Sequence, residues 1–146
     1  MGPFDVAIDA VGSVYVMDTG NERIQKFDSN GNYIASWGVG AGAFAVDVDA
    51  SGNVYVAGSN EVRKFDSGGN FIKSWNGLHI AVGITVDSDD NVYVVDGLCR
   101  VVKFDSDGAF LTEWPTLCAL FDVAADENGN IYVARTWSAV KRSYWE

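Results

Sequence analysis

Gly12-Ser13-Val14-Tyr15-Val16 returns as Gly52-Asn53-Val54-Tyr55-Val56, Asp90-Asn91-Val92-Tyr93-Val94 and Gly129-Asn130-Ile131-Tyr132-Val133, with the tyrosines 40, 38 and 39 residues apart. A second landmark keeps step with it: Lys26-Phe27-Asp28-Ser29, Lys64-Phe65-Asp66-Ser67 and Lys103-Phe104-Asp105-Ser106. Trp37, Trp75 and Trp114 follow at the same interval. A tandem period of this kind decides an architecture, because one unit cannot bury its apolar face alone and stacked neighbours can.

Within each unit, apolar and polar residues alternate over short runs bounded by Gly, Asp, Asn and Ser, the pattern of strands joined by tight turns. In the first unit the strands run from about Phe4 to Asp9, Ser13 to Met17, Arg23 to Phe27 and Tyr33 to Trp37; nothing reads as a helix. Asp9-Ala10-Val11-Gly12 and Asp28-Ser29-Asn30-Gly31 place Asp where its side chain bonds the backbone ahead and Gly where φ turns positive. The expected fold is all-β: one β-propeller domain of four-stranded antiparallel blades at approximately 3–38, 43–76, 81–115 and 120–146. Three blades are complete and the fourth lacks its outer strand. The innermost strands would carry Val6 and Ile8, Val46 and Val48, and Ile84 and Val86.

Composition agrees. The chain has 146 residues, 48% hydrophobic and 13% aromatic, with a mean hydropathy of +0.03, which excludes disorder and suits a single packed domain. Ten basic against 20 acidic side chains give a net charge of −10 and a pI near 4.3. Nucleic acids and anionic membranes are therefore poor partners, since Lys and Arg drive phosphate binding. No apolar run approaches the roughly 20 residues of a membrane span, and the first 30 residues hold Asp5, Asp9 and Asp18 in place of a targeting signal.

The run Pro3-Phe4-Asp5-Val6-Ala7-Ile8-Asp9, followed by Gly12-Ser13-Val14-Tyr15-Val16 and Asp18-Thr19-Gly20-Asn21-Glu22-Arg23-Ile24-Gln25-Lys26-Phe27, resembles the NHL repeat over its full length. The resemblance implies a propeller that usually closes with six blades, more than this chain supplies. Three closures follow: a strained four-bladed ring, an open fragment, or a ring completed by a second copy. Open ends would expose apolar faces and unpaired edges, so a homodimer joined head to tail is the expected closure.

The acidic turns read as turn chemistry and not as calcium loops. Asp87-Ser88-Asp89-Asp90-Asn91 and Asp126-Glu127-Asn128-Gly129-Asn130 lack the sixth-position Gly and twelfth-position Glu of an EF-hand loop, with Leu98 and Trp137 in the twelfth places. The opposite, variable loop face offers Arg23, Arg63, Arg100, His79 and Trp137 as binding candidates for a protein or small ligand. Arg23 and Arg100 have Asp18 and Asp96 as intra-blade partners; Arg63 lacks that Asp and reads as the freest. The resemblance implies lyases with several histidine ligands, or lactonases with a carboxylate and Asn cluster at the channel. With one histidine, His79, and no such set on the inner strands, the expectation is a non-catalytic scaffold without metal or cofactor. The alternative is a fragment of a larger six-bladed lyase or hydrolase. Cys99 and Cys118 fall in loops sharing a face, which leaves open either a disulfide or two buried thiols; a bridge would favour an extracellular or periplasmic home.

Overall fold

The computed structural model describes residues 2–135 and the backbone of strand 138–142. The first blade is β1 (Asp5–Ile8), β2 (Val14–Asp18), β3 (Arg23–Phe27) and β4 (Tyr33–Gly38), with one 3₁₀ turn at Thr19–Asn21. The second is β5 (Ala43–Val48), β6 (Val54–Gly58), β7 (Glu61–Phe65) and β8 (Phe71–Asn76). The third is β9 (Ala81–Val86), β10 (Val92–Asp96), β11 (Arg100–Phe104) and β12 (Phe110–Pro115). The fourth holds β13 (Leu120–Ala125), β14 (Ile131–Arg135) and β15 (Ser138–Arg142). Each sheet is an antiparallel meander in chain order, so the architecture is three full propeller blades and part of a fourth. Tyr144 and Trp145, where the sequence places the end of the last blade, lie outside the described residues.

The hairpin turns form as their Asp residues dictate. In all seven, from Asp9 to Asp126, Oδ1 of the Asp accepts the backbone N–H two and four residues on. The second oxygen of the first-hairpin Asp in each blade accepts the hydroxyl of the repeated tyrosine: Tyr15 to Asp9, Tyr55 to Asp49, Tyr93 to Asp87 and Tyr132 to Asp126. The acidity of this face is thus largely spent on its own turns.

Strand alternation gives every blade two apolar faces. Tyr15, Met17, Ile24 and Trp37 of the first blade pack on Val46, Val54, Val56 and Phe65 of the second. Tyr55, Ala57, Val62 and Trp75 pack likewise on Ile84, Val92, Val94 and Phe104, and Tyr93, Val95 and Val101 on Val123, Ile131 and Val133. Polar stitches repeat across these interfaces: Lys26 lies 4.9 Å from the Tyr15 ring centroid and donates to the Ser67 carbonyl at 3.0 Å, and Lys64 does the same with Tyr55 and Ser106. Gly69 and Gly108 are required twice over. Their φ values are +87° and +82°, and a Cβ would lie 2.5 and 2.4 Å from the indoles of Trp37 and Trp75 in the preceding blade.

Candidate functional site

The inner strands β1, β5, β9 and β13 stand side by side around the axis. Each is the terminal strand of its sheet, so the amides of one edge have no ladder partner and need another acceptor. Aspartates supply it. Asp5, Asp47 and Asp122 each accept the N–H of the following valine through Oδ1 at 2.8 Å. The second oxygen reaches the next blade: Asp5 accepts Val46 N–H and Asp47 accepts Val86 N–H, both at 2.8 Å. Between β9 and β13 the same bridge is made by Thr85, whose Oγ1 accepts Ala125 N–H at 3.3 Å. Among the described residues, nothing donates to the second oxygen of Asp122.

These amides work against burial. Desolvation pushes the Asp5 and Asp47 carboxyls above the ordinary carboxylate value, although each accepts two backbone N–H groups. The Asp122 charge pushes Asp5 further up, and the Asp5 charge does the same to Asp47. The three carboxylates therefore occupy one electrostatic neighbourhood on the axis. Carboxyls held above their usual range can store and deliver a proton nearer neutral pH. The inner-strand aspartates are thus candidate residues that the sequence analysis did not single out. The repeated Asp-Val pair at 5–6, 47–48 and 122–123 was the available signal.

The loop-face arginines are placed differently from one another. Arg23 opens β3 opposite Gly38, and Arg100 opens β11 opposite Pro115, but the matching place in β7, opposite Asn76, belongs to Glu61. Arg23 donates to Asp18 at 2.9 Å, beside Asn21 and Gln25, and the Asn21 and Arg23 donors hold the Asp18 carboxyl below its usual value. Arg100 donates to the buried Asp96 at 3.0 Å, to the Gly77 carbonyl at 2.8 Å and to Glu113. Arg63 is not the freest of the three: it pairs with Glu61 and donates to the Val39 carbonyl. The intra-blade pairs expected for Arg23 and Arg100 are formed, and Arg63 makes a third with Glu61. His79 is exposed in the connection to β9, with its backbone N–H on Asp96 at 3.0 Å. Trp137 lies outside the described residues.

Cys99 and Cys118 form a disulfide, with Cα atoms 4.6 Å apart. It ties the β10–β11 hairpin to the connection before β13, where Thr116 N–H also donates to the Cys99 carbonyl at 2.7 Å. A stable bridge is compatible with an oxidising compartment. Among the described residues no three His, Cys, Asp or Glu side chains come together as a metal-holding group, so the histidine-ligated site that the sequence resemblance implies has no fit here.

No protein-family model matches the chain, and no curated protein matches it. Solved structures do. A streptogramin B lyase aligns with 92% of this chain and 48% of its own at a TM-score of 0.78 and 16% identity. The virginiamycin B lyase of Staphylococcus aureus aligns with 92% of this chain and 49% of its own at 0.76 and 12% identity. A protein of unknown function from Bacteroides caccae gives 91%, 53%, 0.69 and 17%. The chain spans about half the length of the structures it matches. These likenesses show the fold, and because two of the matched propellers are lyases they overturn the expectation that this chain is not an enzyme.

Proposed function

We propose that the chain forms about half of a propeller enzyme of lyase or hydrolase type, built from NHL-type blades, with its proton-transfer groups on the axis. The observation that carries this reading is the Asp5–Asp47 pair, two carboxyls raised by burial and by neighbouring charge on the inner strands of a fold shared with lyases. Asp47 is the stronger candidate for general base or acid, since its neighbours on both sides are inner strands of this chain. The loop face is less suited to ligand capture, because Arg23, Arg63 and Arg100 are each committed to a carboxylate. The disulfide supports an extracellular or periplasmic site of action.

The test is incubation of the purified protein with virginiamycin B, followed by chromatography and mass spectrometry of the mixture. The expected result is protein-dependent loss of the parent compound, slowed about a hundredfold or more by Asp47→Asn, the scale of a lost general acid or base. Persistence of the parent with folded wild-type protein would count against a lyase of the matched kind.

A further inference from the structure

We infer that a second copy of this chain packs head to tail on the first, and that the axial carboxylate site of the proposed enzyme is completed only in that pair. The inference rests on that functional reading for the meaning of the site, but not for the contact itself. Val6, Val46, Ile84 and Val123 occupy the same position in the four inner strands, three residues before the turn Asp. Val46, Ile84 and Val123 are 3–4% exposed beneath the preceding blade, whereas Val6 is 57% and Ile8 65% exposed. The first blade therefore presents, uncovered, the face that its siblings bury.

The complementary face stands uncovered at the other end of the arc. Ala124 and Ala134 of the fourth blade are exposed, whereas their counterparts Ala7, Met17, Ala57 and Val95 are buried against a following blade. Tyr132 stands opposite Lys141 in the register that pairs Tyr15 with Lys26, Tyr55 with Lys64 and Tyr93 with Lys103. Blade four of one copy thus repeats the pattern that blade one of another is shaped to receive, and the new contact continues the interface already formed three times within the chain. Length agrees, since the chain covers 48–53% of the matched structures and two copies supply about one whole matched chain. A two-fold head-to-tail contact closes and buries both faces.

The pair also resolves the uneven axis. Asp5 and Asp47 each use a second oxygen to accept an N–H from the next inner strand, and Asp122 alone has no next inner strand among the described residues. In the ring, that oxygen lies against the outer edge of the second copy's β1, where the Val6 N–H is held by its own Asp5. Asp122 is thereby set beside a second Asp5, and the channel carries Asp5, Asp47 and Asp122 from both copies.

Light scattering after size exclusion tests the contact. The expected mass is twice the 15.8 kDa of one chain, and Ile8→Glu on one face or Ala124→Glu on the other each reduces it to a single chain. Both sites are exposed within one copy, so the unfolding transition of each variant by circular dichroism should stay cooperative. A wild-type monomer, an open-ended series of larger masses, or a dimer indifferent to both substitutions would overturn the inference. Turnover by a monomer would overturn the pairing alone, and an inert dimer would overturn only the enzyme reading.

Discussion

At the residue scale, the chain holds conformations that its side chains resist. The position before an inner strand is left-handed in three blades: Gly42 at φ 75°, Ile80 at 54° and Ala119 at 67°. Glycine adopts this region freely, but an L side chain there costs about 1–2 kcal/mol, partly offset by the roughly 0.5–1 kcal/mol that glycine loses in chain entropy. Ile80 is 53% exposed, so removing it sacrifices little packing. Ile80→Gly is expected to raise stability by about 0.5 kcal/mol, while Ile80→Val, still β-branched, brings no gain. Gly42→Ala should act oppositely and cost at least about 1 kcal/mol, because its Cβ would fall 2.1 Å from Ser59 Oγ. Urea midpoints of the three variants decide the matter, and a destabilised Ile80→Gly would show that the left-handed turn is not strained.

At the scale of elements, the disulfide adds a covalent cross-link, beside the backbone itself, between the third blade and the approach to the fourth. It closes a loop across a sequence separation of 19, for which the chain-entropy argument gives about 3 kcal/mol. Reduction, or the Cys99→Ser/Cys118→Ser pair, is expected to lower the denaturant midpoint by up to that amount. Amide exchange should quicken first in the connection and in β13. Unchanged exchange there would mean that blade packing alone fixes the junction. Strands and turns were legible because each is written locally, in alternation and in the Asp and Gly of its hairpin. The misplacement of Arg63 was also legible: Arg23 and Arg100 stand four residues before Phe27 and Phe104, and Arg63 stands two before Phe65. The axial carboxylates were not read, because an Asp inside a strand looks like the polar half of an alternation. Their purpose appears only when amides some 40 residues away, Val46 for Asp5 and Val86 for Asp47, are brought alongside.

At the scale of the whole molecule, the carboxylates divide by position into two populations that titrate in opposite senses. On the hairpin rim, the amide side chains of Asn32, Asn70 and Asn130 hold Asp28, Asp66 and Asp126 below their usual value, Asp126 at about 2. On the axis, burial holds Asp5, Asp47 and Asp122 above it. For a raised carboxyl the folded state binds its proton more tightly than the unfolded chain, so stability increases as pH falls through the raised value. For a lowered carboxyl the stabilisation is complete above the unfolded value and is lost as pH falls toward the folded one. Falling pH also relieves repulsion within a chain of net charge −10. The unfolding midpoint should therefore climb on acidification from neutral pH, peak at roughly pH 4 to 5, and drop below that as Asp28, Asp66 and Asp126 take up their protons, Asp126 at about 2. Asp47→Asn should flatten the climb on the neutral side while leaving the acid drop in place, because it removes an axial group and no rim group. Asp126→Asn should do the reverse and soften the acid limb. The profile is read by thermal unfolding from pH 2 to 8 in buffers of constant ionic strength, and a midpoint that rises steadily from pH 4 to 7 would mean that the axial carboxyls are ordinary and that the axis holds no proton-storing site.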